Sequence, residues 1–326
     1  MTNSVVYMFS GQGSQYYGMA KELYKGHRGF RQTFDKLDGV ASGLIGDSLA
    51  KLLYRSGGDP SEPFNQILHT HPAIFMVEYA LAQALIQDGV LPCATLGCSL
   101  GEFTSAAVAG VAEVEELLEA VLVQAKTLIN HCRGGSMLAI FHDAAFYQSA
   151  PILYRNSELV SINYDTHFVI SGFTEKIKEI RAFLAKERIL SQSLPVSYAF
   201  HSSLIDPAAT PYREYLDAKK FLPPSVPFAS CLTGTVTENF TGHYFWDVIR
   251  QRILFTEALR ELEKDGPKIY LDLGPGGTLA GFVRRNLAPD SRSDIYAVIT
   301  PYHQELKSLQ KIRSITTKNY DNEKGN

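Results

Sequence analysis

The chain has 326 residues, of which 45% are apolar and 20% charged, enough for a large core in a main domain that carries a second, smaller one. A formal net charge of −3 and a pI near 6.3 argue against a nucleic-acid binder, and no apolar run reaches the roughly 18 residues of a membrane span. The four cysteines show neither pairing nor metal-ligand spacing and no signal peptide is recognisable, so we expect a cytoplasmic protein without a metal site.

The first residues predict a buried strand that runs into a glycine-rich loop. Residues 5–9 are apolar, and Ser10-Gly11-Gln12-Gly13-Ser14-Gln15 follows, with glycines that let the backbone approach a ligand closely. No Gly-Lys-Ser/Thr comes after it, which disfavours a phosphate-binding loop. A helix is predicted at residues 19–38, and the segment up to residue 63 is polar and irregular.

The pentapeptide Gly97-Cys98-Ser99-Leu100-Gly101 matches G-x-S-x-G, the pattern of a serine held on a sharp strand-to-helix turn. Residues 73–88 predict a helix that Gly89 ends, residues 90–96 predict a short buried strand, and small residues after Glu102 predict a second helix. Such a turn exposes the serine Oγ and points the N–H of Leu100 at a developing oxyanion. The alternative is an ordinary Gly-Ser turn.

Residues 134–196 have the order β-α-β-β-α-β, which predicts a ferredoxin-like domain inserted into the main one. Strands are predicted at 136–141, 159–165, 167–173 and 191–197, and helices at 143–154 and 174–187. The main domain then comprises residues 1–133 and 197–304.

The carboxyl-terminal part continues the main domain and then becomes polar. A strand is predicted at 269–274 and a helix at 279–287. Residues 305–326 are predicted to be a disordered tail because they are rich in Lys, Asn, Gln and Glu.

A serine nucleophile needs a base within hydrogen-bond reach, and His201 is the best candidate among the nine histidines. It lies where the chain returns from the inserted domain to the main one, and clefts between domains are common places for active sites. The alternative is an exposed loop histidine.

Six motifs together resemble those of the malonyl-CoA:acyl-carrier-protein transacylase family, and especially the freestanding acyltransferase-type proteins of polyketide pathways. They are Phe9-Ser10-Gly11-Gln12-Gly13-Ser14-Gln15, Thr70-His71-Pro72-Ala73, Gly97-Cys98-Ser99-Leu100-Gly101-Glu102, Ile162-Asn163 with Val169-Ile170-Ser171-Gly172, Tyr198-Ala199-Phe200-His201, and Leu273-Gly274-Pro275-Gly276. The resemblance spans about residues 4–300 and implies an α/β-hydrolase-like main domain with a parallel sheet plus the inserted ferredoxin-like domain.

The resemblance also implies roles for five residues. Ser99 would be the acylated nucleophile and His201 its base. The backbone N–H groups of Gln12 and Leu100 would form the oxyanion hole. A backbone carbonyl near Gln251, rather than an aspartate, would orient the histidine, which fits the lack of an obvious acidic partner.

The main departure from the family pattern is Gln124, at the position where malonyl-using relatives carry an arginine that grips the substrate carboxylate. On a helix, Lys126 and Arg133 face away from that position, and His131 lies about 10 Å further along. A buried carboxylate without its partner costs roughly 3–5 kcal/mol, so the pocket should favour neutral acyl groups such as acetyl. The alternative is an alignment slip of one helical turn.

Three further residues are assigned to the acyl pocket. Cys98 stands where relatives commonly have His, and His71 where they commonly have Gln. Both side chains can equally be packing residues. The resemblance links a bulky residue before the catalytic histidine, here Phe200, to the rejection of α-methyl branches.

Among polyketide acyltransferase relatives, the members without this arginine resemble acyl hydrolases. The resemblance therefore implies an enzyme that removes short neutral acyl groups from acyl-carrier-protein thioesters, an editing step in which water resolves the seryl ester. The alternatives are an acyltransferase that loads malonyl or acetyl groups from CoA, a non-catalytic carrier-protein binding module, and an esterase of the plain hydrolase fold.

We expect no bound cofactor, with the phosphopantetheine of the carrier protein or CoA as the substrate arm, and a monomer. A basic rim for the acidic carrier protein is assigned to four arginines, Arg250, Arg252, Arg284 and Arg285.

Overall fold

A computed structural model describes the backbone of residues 4–54 and 64–324, with side chains described up to residue 316. The strands are Ser4–Phe9 (β1), Ala94–Gly97 (β2), Ser136–Ile140 (β3), Glu158–Tyr164 (β4), His167–Gly172 (β5), Ser191–Ser193 (β6), Phe228–Ser230 (β7), Lys268–Asp272 (β8) and Asp294–Ala297 (β9).

The α-helices are Lys21–Gly26 (α1), Arg28–Ile45 (α2), Leu49–Tyr54 (α3), Ile67–Gln87 (α4), Gly101–Val108 (α5), Val114–His131 (α6), Ala145–Ser149 (α7), Pro151–Tyr154 (α8), Thr174–Lys186 (α9), Ala209–Asp217 (α10), Gly242–Arg250 (α11), Phe255–Glu263 (α12), Thr278–Asn286 (α13) and Glu305–Lys324 (α14). A 3₁₀ helix covers Ser203–Ala208.

The main sheet has the strand order β7-β2-β1-β8-β9, and every pairing in it is parallel. The central strand β1 is buried on both faces, as its continuous apolar sequence predicts for a parallel strand. Tyr7 and Phe9 pack into a core with α2, α4 and α6, whereas Val6 and Met8 pack on the opposite face with α12 and α13. Helices therefore cover both faces of the sheet, which gives the predicted α/β-hydrolase-like layers.

The second sheet is antiparallel, with the order β4-β5-β3-β6. Its strands and helices follow one another as β3, α7 and α8, β4, β5, α9 and β6, the ferredoxin-like arrangement. Ile177, Ile180 and Leu184 form the buried face of α9 over this sheet. The predicted fold class, an α/β-hydrolase-like domain with an inserted ferredoxin-like one, is confirmed.

Several predicted boundaries are wrong, mostly at prolines. Helix α4 begins at Ile67 and continues through Pro72, because a long buried face outweighs the one hydrogen bond that proline removes. The next strand, β2, was predicted to begin at residue 90 but begins at Ala94, two residues after Pro92. Gly89 does end the helix region, with a left-handed φ of 82°.

Two predicted helices are divided, and one irregular segment contains a helix. The helix predicted at 19–38 breaks at His27, whose ring nitrogen accepts the N–H of Phe30 and caps α2. The helix predicted at 143–154 is interrupted before Pro151. The polar segment up to residue 63 includes α3, while residues 55–63 lie outside the described part.

The carboxyl-terminal segment is helical, so the prediction of a disordered tail is wrong for α14. Leu309 and Ile312 are each 2% exposed, and Leu306 lies against Gly26 of α1. These residues repeat at a spacing of three, which places them on one face despite the polar composition. Within the described ranges, no helix combines the length and the apolar character that a bilayer span requires.

Candidate active site

Ser99 lies on the sharp turn between β2 and α5, with a left-handed φ of 56°. A Cβ on Gly97 would fall 2.4 Å from the Cα of Glu102, and one on Gly101 would fall 2.1 Å from the carbonyl oxygen of Phe9. Both glycines are therefore required by close backbone approach. The turn is the nucleophile elbow that the G-x-S-x-G pattern predicts.

His201 stands directly against this serine. Its Nε2 lies 2.7 Å from Ser99 Oγ, and its Nδ1 lies 2.8 Å from the carbonyl oxygen of Gln251. Because a carbonyl only accepts, Nδ1 carries the ring proton in this hydrogen bond, which leaves Nε2 free to accept the hydroxyl proton of Ser99. The structure thus brings together the three residues predicted as nucleophile, base and orienting group.

Burial determines the protonation state of the histidine. The side chain is nearly inaccessible to solvent, and desolvation lowers the pKa of His201 to about 4, against the opposing effect of the Gln251 carbonyl. The imidazole is accordingly neutral at neutral pH, the form that can act as a base. Like Ser99, His201 has a left-handed φ, of 60°, a backbone conformation that clusters at functional sites in non-glycine residues.

The loop that carries Gln12 packs against the elbow. A Cβ on Gly11 would lie 3.0 Å from both Cys98 O and Ser99 Cβ, so the loop backbone touches the turn directly. Gln12 and Leu100 line the cavity beside Ser99. This arrangement is compatible with the predicted oxyanion hole, whose two donors would be the backbone N–H groups of these residues.

Glu78, which the sequence did not single out, anchors that loop. Its Oε1 accepts the N–H of Ser10 at 2.7 Å and the hydroxyl of Ser10 at 2.8 Å. Burial raises the pKa of Glu78 to about 8, although the bonds from Ser10 oppose the shift. The sequence feature that could have indicated this role is a single acidic residue, Glu78, within the otherwise apolar stretch of α4.

A second buried carboxyl, Glu102, holds the elbow helix to the end of β7. It accepts from the hydroxyl of Tyr244, from Ser230 Oγ at 3.1 Å and from the N–H of Leu232 at 2.9 Å. Burial raises the pKa of Glu102 to about 7 against these bonds. This role could not be predicted from the sequence, because the partners of Glu102 lie more than 120 positions away in the chain.

A cavity of about 480 Å³ opens over Ser99, between the main and inserted domains. All four residues predicted for the acyl pocket line it, namely His71, Cys98, Gln124 and Phe200. We call the surface formed by His71, Gln124 and Phe200 the buried wall, because each of the three is at most 4% exposed.

The buried wall is neutral. Gln124 Nε2 makes one long hydrogen bond, 3.5 Å, to Tyr212 Oη, and burial lowers the pKa of His71 to about 3. The ring of His71 lies 5.5 Å from that of Phe200. Nothing on this wall offers a positive charge to a carboxylate at neutral pH.

The cations considered as replacements point elsewhere. Lys126 Nζ donates to the carbonyl of Leu44, and Arg133 pairs with Glu175 at 2.9 Å. Of the described residues that line the cavity, Arg285 is the one lysine or arginine, and it is exposed, with its guanidinium 5.9 Å from the centre of the Tyr164 ring.

The four arginines predicted for a basic rim are not equivalent. Arg285 lines the cavity, whereas Arg250 pairs with Asp206 at 2.5 Å and Arg284 donates to the carbonyl of Ile295. Arg252 is exposed. Within the described ranges, no cluster of three His, Cys, Asp or Glu side chains is placed to hold a metal ion.

Comparisons with known proteins agree with this geometry. Residues 6–322 match the family described as "Acyl transferase domain". The chain is 47% identical to the polyketide biosynthesis acyltransferase homolog PksD of Bacillus subtilis, over 97% of this chain and 98% of that protein. It is 46% identical to the corresponding homolog BaeD of Bacillus velezensis, over 96% of each chain.

A solved structure shares the fold. The loading acyltransferase from the avermectin modular polyketide synthase superposes with a TM-score of 0.86 at 25% identity, covering 95% of this chain and all of that one.

Proposed function

The chain belongs to the acyl transferase domain family, and from this membership and the site geometry we propose that it is an acyl hydrolase of carrier-protein thioesters. Its substrates would be short neutral acyl groups such as acetyl, removed as an editing step in polyketide biosynthesis. The observation that carries the proposal is Gln124 in the neutral buried wall, because a malonyl carboxylate placed there would have no cation to pair with.

Acylation follows from the hydrogen bonds of Ser99. The Oγ attacks the thioester carbonyl carbon while its proton passes to His201 Nε2, and the N–H groups of Gln12 and Leu100 stabilise the oxyanion. When the tetrahedral intermediate collapses, the C–S bond breaks and the proton on Nε2 goes to the leaving sulfur. The Gln251 carbonyl stabilises the imidazolium in between through Nδ1–H.

Deacylation repeats these steps with water as nucleophile. Water gives a proton to His201 Nε2 and attacks the seryl ester, and Ser99 takes the proton back as the free acid leaves. The protein needs no resident cofactor for this chemistry, because the phosphopantetheine arm of the acyl carrier protein enters with the substrate. Exposed Arg285 at the cavity is the basic residue best placed to meet an acidic carrier protein.

The second candidate is acyl transfer from CoA to carrier protein, which the names of the relatives favour. It uses the same seryl ester but resolves it with a thiol. A purely binding role is disfavoured by a serine and a neutral histidine at 2.7 Å, an arrangement that binding alone does not need.

One experiment separates the candidates. Acetyl-carrier protein and malonyl-CoA are each incubated with the enzyme and an unloaded carrier protein, and free acid and transferred acyl groups are quantified by mass spectrometry. We expect free acetate, no rapid malonyl transfer and no reaction with Ser99→Ala. Rapid transfer of malonyl groups to the carrier protein would refute the proposed hydrolysis and support the transfer activity. Unchanged turnover by Ser99→Ala would contradict both candidates.

A further inference from the structure

Two side chains of the buried wall carry polar atoms that have no hydrogen-bond partner among the described residues. They are Gln124 Oε1 and both ring nitrogens, Nδ1 and Nε2, of His71. Each side chain is 1% exposed, and each residue lines the cavity over Ser99. The Ser99–His201 chemistry uses neither of them.

Such atoms are rare in folded proteins, where buried polar groups are almost always paired. His71 is held on α4 with its ring beside Phe200, which offers no acceptor or donor in its side chain. The Nε2 of Gln124 donates one long hydrogen bond to the hydroxyl of Tyr212. That hydroxyl in turn donates to the carbonyl of Ala120. A group bound in the cavity can supply the missing partners, because both residues line it.

The unused groups specify the chemistry of that occupant. A neutral imidazole offers one N–H donor and one acceptor nitrogen, and the Gln124 amide offers an acceptor oxygen and a second N–H. A carboxylate or an ammonium group would find no opposite charge on this wall. A hydroxyl, which both donates and accepts, matches these groups, whereas a plain alkyl chain leaves them unpaired.

We propose that the buried wall selects acyl groups that carry a hydroxyl on the acyl chain, with His71 and Gln124 as the specificity residues. This inference rests on the proposed seryl acylation at Ser99. It holds whether water or a thiol later resolves the ester, because the hydroxyl is recognised before that step. Among short neutral acyl groups, hydroxylated ones should then acylate Ser99 faster than their alkyl counterparts.

The test is a competition for Ser99. Equal amounts of 3-hydroxybutyryl- and butyryl-carrier protein, and in a second pair lactoyl- and propionyl-carrier protein, are mixed with the enzyme under single-turnover conditions. The acyl groups on the Ser99 peptide are counted by mass spectrometry. We expect at least one hydroxylated group to be preferred about 10-fold or more, from the usual cost of unpaired buried polar groups.

Substitutions assign the preference to the wall. Gln124→Leu and His71→Leu should each bring the ratio close to one, while Gln192→Leu makes the same chemical change elsewhere in the cavity lining and should leave the ratio unchanged. If a Leu variant fails to fold, which thermal unfolding would reveal, Gln124→Met and His71→Phe take its place, because both keep the approximate size of the side chain and remove its hydrogen-bonding groups. Equal acylation by hydroxylated and alkyl groups in the unsubstituted enzyme would overturn the inference and indicate a water-filled wall.

Failure of the proposed function would look different. If no thioester acylates Ser99, that function is wrong, and the inference is then decided by the affinity of Ser99→Ala for 3-hydroxybutyryl- and butyryl-pantetheine. A tighter complex with the hydroxylated thioester supports it, and equal affinities refute it.

Discussion

Replacing Gln124 by arginine should give the cavity an affinity for malonyl groups. Gln124 lies on α6 in a wall without positive charge, and the cavity of about 480 Å³ has room for a longer side chain. A buried carboxylate that lacks its partner is disfavoured by roughly 3–5 kcal/mol. The new guanidinium must itself be desolvated, so we expect recovery of about 1–3 kcal/mol, or roughly 5- to 150-fold in malonyl against acetyl selectivity.

The assay for Gln124→Arg is the rate of Ser99 acylation by malonyl- and acetyl-carrier protein in single turnovers, expressed as a ratio for each variant. Gln192→Arg is the matched control, since it adds the same charge to another part of the cavity lining. The reasoning is refuted if the ratio does not move in Gln124→Arg, or if it moves equally in both variants.

Three further predictions concern the buried ionisable groups and the last helix. Burial lowers the pKa of His201 to about 4, so the rate of Ser99 acylation should hardly change between pH 7.5 and 5.5 and should decline only as pH falls through about 4. An ordinary histidine would instead retain about a tenth of its base form at pH 5.5. The burst phase in stopped-flow experiments measures this rate. Burial raises the pKa of Glu78 from 4.5 to about 8, so its contribution to folding stability is complete below pH 4.5 and is lost as pH rises through 8. Glu78→Gln lacks this dependence, so its melting temperature should gain on the parent as pH rises from 5 to 8, and parallel curves would contradict the assignment. Leu309→Ala should cost about 2–5 kcal/mol of unfolding free energy in denaturant titrations, whereas exposed Lys307→Ala should change it by less than about 0.5.

The sequence predicts the elbow well because the G-x-S-x-G pattern and its flanking elements are contiguous in the chain. Gly97 is required by the backbone of Glu102 inside the strand–turn–helix unit, whereas Gly101 is required by the carbonyl of Phe9 on the neighbouring strand β1. His201 was reached differently, from its place after the inserted domain and from a family resemblance. The Gln251 carbonyl rests on the resemblance alone, since a backbone acceptor leaves no trace in residue identity.

Long-range partners could not be predicted in the same way. Glu78 binds a loop 68 positions earlier, and nothing in the sequence names its partner. The prediction of a disordered tail failed because it rested on the polar composition of residues 305–326. Leu306, Leu309 and Ile312 nevertheless lie on one face of α14 and pack against the core. The start of α4 was predicted at residue 73, directly after Pro72, because proline disfavours a helix interior. The helix in fact begins at Ile67, since burial of its apolar face outweighs this local preference.

The most direct test of the account is the identity of the acyl group on Ser99. The enzyme is mixed with equal amounts of acetyl- and malonyl-carrier protein, and the reaction is quenched in acid within one turnover. The mass of the Ser99 peptide is then measured by mass spectrometry. The account predicts an acetyl ester in large excess over malonyl, and none with His201→Ala. Malonyl as the main adduct, or an acetyl ester that forms as fast without His201, would contradict it.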